Sequence, residues 1–400
     1  MAFKKPAYKQ NGVTVKNSYY TFSKEYPVGN IGRQSRNARH KKGKRIYFKA
    51  FLLILCFSLI SFAAYFSAEV ALKFSYKDPA LKAPEISTDS TEDASSTILS
   101  ENNMKALYFP AEKLGNKKFL KDFPKEIRRK NCNSVVIDFK LSDGRLLYSS
   151  ELEIALLAKC AVFDNETVRS AMNFFKSEKI NVIARVHCFR DNLATGEATD
   201  YAVKYMNSEV NWVDNSNEAQ PCSWLNPFSK GARKYLTEII KEISEFGIDG
   251  LILTSVSFPA GENSDTAGYP GSKGKTKEEC LKGFLSEVKK IIPPSCFLLT
   301  ELTSTDVIEG NNEKFGGSFS QNSADGVCAD TAIRPENYYP DKKSKFSAMI
   351  SLFSNMKASL NEDAQIVPMI SSEEFSHSYI RTAEKNGFGC YIIYNTEGFY

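Results

Sequence analysis

Histidine is almost missing from this chain. It occurs three times in 400 residues, and only His187 and His377 lie beyond position 40. The nine cysteines include no Cys-x-x-Cys pair, so zinc chemistry of the Cys/His type is not indicated, and neither a metal nor a cofactor is expected. Phosphate-binding signals are lacking too. GSKGKT (271–276) has the end of a phosphate loop, but the motif needs glycine at 269, where this chain has Tyr269. No glycine-rich turn follows the first strand-like run, MKALYFP (104–110), which argues against a doubly wound nucleotide-binding sheet.

Charge of one sign is scarce at one end. Before Ala50 there are thirteen basic residues and one acid, Glu25, a balance of +12; with +5 for the whole chain, the remainder stands at −7. The body of the protein is therefore mildly acidic, and nothing in its overall charge points to nucleic acid. From Ala50 to Ala68, AFLLILCFSLISFAAYFSA, there is no charge at all. The run comes close to the ~20 apolar residues of a transmembrane helix. A cleaved signal peptide is the competing reading, but its apolar stretch is usually ~7–15 residues, and Phe66 occupies a site where cleavage wants a small side chain. Basic residues before the span and Glu69, Asp78 and Glu85 after it predict a single pass with the N-terminus in the cytoplasm. The basic tail serves topology and lipid attraction, or else docks a cytoplasmic partner or nucleic acid; topology alone already demands such charge.

Four segments are expected: a basic tail (1–49), a signal anchor (50–70), a stalk rich in Ser, Thr, Pro and acids (71–103), and a folded domain (104–400). In the last, short apolar runs alternate with amphipathic ones. The strand-like runs are MKALYFP (104–110), SVVIDFK (134–140), INVIARVHCF (180–189), GIDGLILTSV (247–256), CFLLTEL (296–302), ADGVCAD (324–330), AQIVPMIS (364–371) and GCYIIYN (389–395). Helices are expected near 117–131, 164–179, 229–247, 276–292, 342–360 and 373–387. Strands apolar on both faces and separated by helices indicate a parallel sheet. Eight of them in about 300 residues predict a (β/α)8 TIM barrel. Cys188, Cys296, Cys328 and Cys390 fall in such runs, where free thiols act as small hydrophobes. The eight cysteines beyond Cys56 could pair, but a domain of this size has no need of disulfides.

In such a barrel the functional side chains sit at the C-terminal ends of the strands. That rule selects Asp138 and Lys140, Arg185 and Asp191, Thr254 and Ser257, Glu301, and Asp330. Trp212, Trp224 and Asn226 fall in the loop after strand three, and Tyr338, Tyr339, Tyr394 and Tyr400 come late in the chain. Carboxylates with aromatic platforms suit glycoside hydrolysis, in which two carboxyls flank the scissile bond. Glu301, Asp138 and Asp330 are the catalytic candidates. Lys140, Arg185, Asp191, Trp212, Trp224, Asn226, Thr254, Ser257 and Tyr394 are the substrate-binding candidates. Asp191 and Asp330 also read as helix caps or turn residues. His187 reads as a hydrogen-bonded core residue, and His377 as part of a solvated helix face.

NSVVIDFKLSDGRLLYSS (133–150), INVIARVHCFRD (180–191), WLNPFSKGARKYLTEIIKEISEFGIDGLILTSVSFP (224–259) and the terminal GFGCYIIYNTEGFY resemble the glycoside hydrolase TIM barrels found as uncharacterised, often membrane-anchored bacterial proteins. More distantly, GIDGLILTSV is similar to the fourth-strand motif of the alpha-amylase clan. The resemblance implies a sugar-processing barrel over 104–400. It also implies a fourth strand ending in Q-F-D-Y-I-R-F-P, with Arg two residues before a nucleophilic Asp in the amylase case. Here the Asp position is Thr254, the position two before it is Ile252, and the Arg before Phe-Pro is Ser257. The family's W-x-D-P segment becomes Trp224-Leu225-Asn226-Pro227. Asp138, Lys140 and Arg185 match their counterparts, and Glu301 falls near the fifth-strand acid. A hydroxyl carries no charge to stabilise an oxocarbenium-like centre. The resemblance therefore leads to a membrane-anchored extracellular barrel that engages cell-surface polysaccharide with weakened or lost hydrolysis. The alternatives are an inverting glycosidase using Glu301 with Asp138 or Asp330, and an envelope scaffold with protein partners.

Overall fold

The computed structural model describes residues 103–400 except 215–220, 261–262, 304–305, 308–310, 319–323, 331–350, 352–353, 359–364, 373–376 and 395–400. The charge-free run at 50–68, the stalk, Tyr338, Tyr339 and Tyr400 lie outside the described residues. Among the described residues no helix is long and apolar enough to cross a membrane.

Eight parallel strands close into a barrel: β1 (Lys105–Phe109), β2 (Ser134–Lys140), β3 (Asn181–His187), β4 (Gly250–Thr254), β5 (Phe297–Thr303), β6 (Gly326–Asp330), β7 (Gln365–Ser371) and β8 (Tyr391–Tyr394). Each pairs with its sequence neighbours, and β8 returns to β1. All eight fall on the runs read from the sequence. The helices between them are α1 (Lys117–Arg129), α2 (Glu153–Leu157), α3 (Asn165–Ser177), α4 (Asn192–Glu197), α5 (Lys230–Ser244), α6 (Lys277–Ile291) and α7 (His377–Lys385).

The helix starts follow local chemistry. Asn116, Asp164, Asp191 and Ser229 each accept a hydrogen bond from the backbone N–H three residues on, and Thr276 with Glu279 forms a reciprocal capping box. These side chains satisfy N–H groups that the first helical turn leaves without partners, each worth about 1 kcal/mol.

Alternation along each strand divides the core in two. Outward residues such as Val135, Ile137, Val182, Leu251 and Leu298 pack under the helices. Inward residues, among them Ala106, Tyr108, Val136, Ile183, Ile252, Leu299, Cys328, Val367 and Ile392, fill the barrel. At Gly250 an added Cβ would stand 2.1 Å from the Phe297 ring, so glycine there lets the aromatic plug that end of the interior. The interior is packed, and towards the C-terminal strand ends its inward positions become polar and charged. All eight cysteines beyond Cys56 are free thiols. Burial pushes Cys132, Cys188, Cys222 and Cys296 up to about 12, which keeps them protonated and unreactive.

Candidate functional site

Following the inward phase of each strand to its C-terminal end gives Tyr108, Asp138, Arg185 with His187, Thr254, Glu301, Asp330, Ser371 and Tyr394. The strand register brings them together: Asp138 lies beside Arg185, and His187 beside Thr254.

Arg185 is the centre of this ring. Its Nε and Nη2 donate to both oxygens of Glu301, at 2.5 and 2.8 Å, and its Nη1 donates to Asp138 Oδ1 at 3.0 Å. The second Asp138 oxygen accepts from the Tyr108 hydroxyl at 2.6 Å. Both oxygens of Asp138 are thus engaged, and the guanidinium fills the space between the two acids. Thr254 contributes a weak contact, its hydroxyl 3.5 Å from Glu301 Oε1. The Glu301 side chain keeps 16% of its surface exposed against 8% for Asp138, so Glu301 is the acid that a ligand could reach.

The electrostatics follow from burial. Desolvation pushes the Asp138 carboxyl above the ordinary carboxylate range, while the Arg185 charge and the Tyr108 hydrogen bond pull the other way. Tyr108, buried beside Asp138, is raised as well and stays a hydroxyl. His187 is held well below its ordinary value by burial first, then by the charges of Arg185, Lys140 and Arg190. It is therefore a neutral imidazole. Its Nε2 lies 3.1 Å from Arg185 Nη1; because arginine only donates, Nε2 accepts and the ring proton is assigned to Nδ1. That Nδ1 is buried and has no partner among the described residues.

β4 ends sharply. Ser255 adopts a left-handed backbone, with φ of 55°, a conformation rare away from glycine and concentrated at constrained sites. The turn leaves Thr254 facing the ring, and Phe258 then packs against Phe228 and Tyr269. Across the mouth, Tyr394 donates to Asp330 Oδ1 at 2.7 Å.

The family model described as "Putative glycosyl hydrolase domain" matches residues 106–315, from β1 through β5. The chain belongs to that family. Its glycosyl hydrolase-like barrel also resembles solved structures. A hypothetical protein from Ruminiclostridium thermocellum shares 27% identity over 48% of this chain and 96% of its own, with a TM-score of 0.42. An alpha-galactosidase from Thermus thermophilus shares 12% over 74% of this chain and 58% of its own (TM-score 0.46). The exo-β-N-acetylglucosaminidase of Vibrio harveyi shares 8% over 66% and 40% (TM-score 0.45). The chain thus spans only part of these two longer enzymes. No curated protein matches it.

Within the glycosyl hydrolase-like barrel, several expected contact residues stand elsewhere. Lys140 does not face the mouth. A register shift between Asp138 and Lys140 pairs Lys140 with Val186, an outward-facing residue; a bulge of this kind re-aims a side chain. Lys140 is fully buried, donating to the His187 carbonyl at 2.9 Å and ion-paired with Asp191 Oδ2 at 2.8 Å. Asp191, also fully buried, caps α4 through Ala194. It is the helix cap that its sequence position suggested, with no surface left for a sugar.

The tryptophans are equally enclosed. Trp212 donates to Asn263 O and Thr266 Oγ1. Trp224 donates to Asp214, which also accepts from Arg190. Asn226 ties its loop to the Phe228 N–H and the Pro270 carbonyl. These three hold the excursion after β3 in place and offer no open aromatic face in this structure. Ser257 is buried beyond the β4 turn. Asp138, Arg185, Thr254 and Glu301 do converge at the barrel end, with Asp330 and Tyr394 paired on the neighbouring strands. His187 is the buried, hydrogen-bonded residue that its place in the sequence suggests, whereas Tyr108 is not among the residues the strand-end rule selects. Alternation from Ala106 would have put Tyr108 in the ring, whereas its bond to Asp138 depends on pairing between strands.

Proposed function

We propose that this protein is a membrane-anchored, extracellular glycosyl hydrolase-like barrel that binds cell-surface polysaccharide and hydrolyses it weakly or not at all. One observation carries the reading. Arg185 stands between Asp138 and Glu301 and is bonded to both, while the fourth-strand position that would hold a nucleophilic acid is Thr254. Hydrolysis needs two carboxyls facing a sugar across an open gap. Here that gap is filled by their shared counter-ion. The polar ring at the strand ends still suits the recognition of hydroxyl-rich ligands.

Membrane anchoring rests on the charge-free run at 50–68 and the basic tail before it. Protease added to intact cells is expected to degrade the 104–400 domain and spare the tail; the reverse pattern would refute the topology. For function, the full-length chain in detergent is tested on an array of envelope and storage polysaccharides, with reducing-sugar release measured in parallel. Binding to at least one glycan with little release is expected. An array with no binding would sink the proposal.

A second reading has a specific basis. Glu301 and Asp330 lie on the adjacent strands β5 and β6, and an inverting hydrolase needs only an acid and a base with room for water between them. Substantial hydrolysis that disappears in Glu301→Gln and in Asp330→Asn would replace the first reading with this one.

A further inference from the structure

The occupancy of the strand-end ring indicates the charge of what it binds. Arg185 spends its fork on Glu301 and its remaining edge on Asp138. Lys140 is enclosed with Asp191 on the far side of the sheet, and Arg190 is held by Asp214. Among the described residues around Arg185, two carboxylates share one guanidinium, and Glu301 is the more exposed of the two. A uronate, sialate or phosphorylated sugar would bring its charge towards that excess of negative charge and would have to compete with two resident carboxylates for Arg185.

The unsatisfied donor is a neutral one. His187 is 8% exposed, its Nε2 accepts from Arg185, and its Nδ1–H has no partner among the described residues. A buried N–H of this kind is satisfied by an oxygen, from a ligand directly or through one enclosed water. A hydroxyl, an acetamido carbonyl or a carboxylate can supply that oxygen. An ammonium cannot, because it has no lone pair to accept with, so this donor excludes a cation and leaves the choice between neutral and acidic sugars to the charge around Arg185. Combined with the charge around Arg185, this describes an uncharged, hydroxyl-rich ligand.

We infer that the barrel end, through Arg185, Glu301 and His187, selects neutral sugars, hexose or N-acetylhexosamine units, over acidic ones. The inference rests on the glycan-binding reading above. It is tested with the full-length chain in detergent, titrated with neutral oligosaccharides and with uronate-containing oligosaccharides of matched length. The neutral set is expected to bind at least about tenfold more tightly, a ratio set by one unfavourable charge contact. In Glu301→Gln, which removes one negative charge and keeps the shape, the discrimination should shrink. In His187→Phe, neutral-sugar affinity should fall by up to about tenfold, the range of one hydrogen bond, with an unaltered circular dichroism spectrum. Acidic oligosaccharides binding as tightly as neutral ones would overturn this inference and leave the glycan reading standing. No binding by either set would overturn both. If His187→Phe does not fold, the neutral-to-acidic ratio in the native chain and in Glu301→Gln still decides the charge selection.

Discussion

Two buried charge systems lie two residues apart on β2 and work on opposite sides of the sheet. Inside the barrel, Asp138 and Glu301 share Arg185. Outside it, Lys140 has Asp191 as its one charged partner among the described residues and also donates to the His187 carbonyl, with both side chains of the pair fully enclosed. The outer pair is balanced, one charge against one, and Asp191 also caps a helix. Among the described residues the inner group has two acids for one base and leaves Glu301 partly exposed. A balanced, closed pair is shut off from solvent, while the inner group can be reached from it at one edge. The same strand supplies both because the bulge after Asp138 turns Lys140 away from the axis.

The strongest way to break this contrast is to remove one cation from each side. Lys140→Met leaves Asp191 charged and unpaired in a closed space, and unfolding free energy should fall by about 3–5 kcal/mol, as measured by denaturant titration. Glycan binding by the fraction that stays folded should be unchanged, since Lys140 faces away from the mouth. A loss below about 1 kcal/mol would mean the outer pair is not the structural one. Arg185→Met should cost less, on the order of 2–3 kcal/mol, because Glu301 can turn towards water and only Asp138 stays trapped. This variant should also lose glycan binding, which Lys140→Met should not.

Thr254→Asp sharpens the comparison by adding a third acid to the inner group. Its side chain would face Glu301 across the 3.5 Å contact now made by the threonine hydroxyl. A loss of about 1–3 kcal/mol is expected from like charges in a partly buried site. Equal or greater stability would show that Arg185 has capacity to spare. Tyr108→Phe is milder. It removes one hydrogen bond to Asp138, and about 1 kcal/mol should be lost in the same titration.

The smallest effect is a pH dependence. His187 is held below its ordinary 6.5 in the folded chain, so the native state binds fewer protons than the unfolded one. The stability tied to keeping this imidazole neutral is present above pH 6.5 and is lost as the pH falls below it. Asp138 has the opposite sign: its folded value lies above the ordinary 3.8, so its contribution is present below that pH and is lost as the pH rises through the folded value. Melting temperatures measured downward from neutral pH should fall more steeply for the native chain than for His187→Phe. Parallel curves would show that His187 does not set the slope.

Much of the fold is legible in the sequence. Eight apolar runs with intervening amphipathic segments predict eight parallel strands, and SVVIDFK, INVIARVHCF and GIDGLILTSV mark β2, β3 and β4. These signals are local, set by the two-residue period of a strand, the 3.6-residue period of a helix, and capping residues such as Asp164 and Thr276. The family match ends at residue 315, yet β6, β7 and β8 close the barrel as their patterns predict. That Asp138, Arg185, Thr254 and Glu301 come together is legible because strand ends meet at one mouth.

The sequence alone determined the order of strands, the charge-free run at 50–68 with its basic tail, and a threonine, Thr254, at the end of the fourth strand where the resemblance leads one to expect an acid. The tertiary structure decided which charges meet. Strict alternation would turn Lys140 inward, and only the pairing of β2 with β3 shows that the bulge reverses it. Trp212 and Trp224 look like sugar platforms until their indole N–H groups are found bound to Thr266 and Asp214. That one arginine should neutralise acids 47 residues before it and 116 after it is a long-range fact. Local pattern fixes the direction a side chain takes from its own backbone; closure of the barrel fixes what it meets.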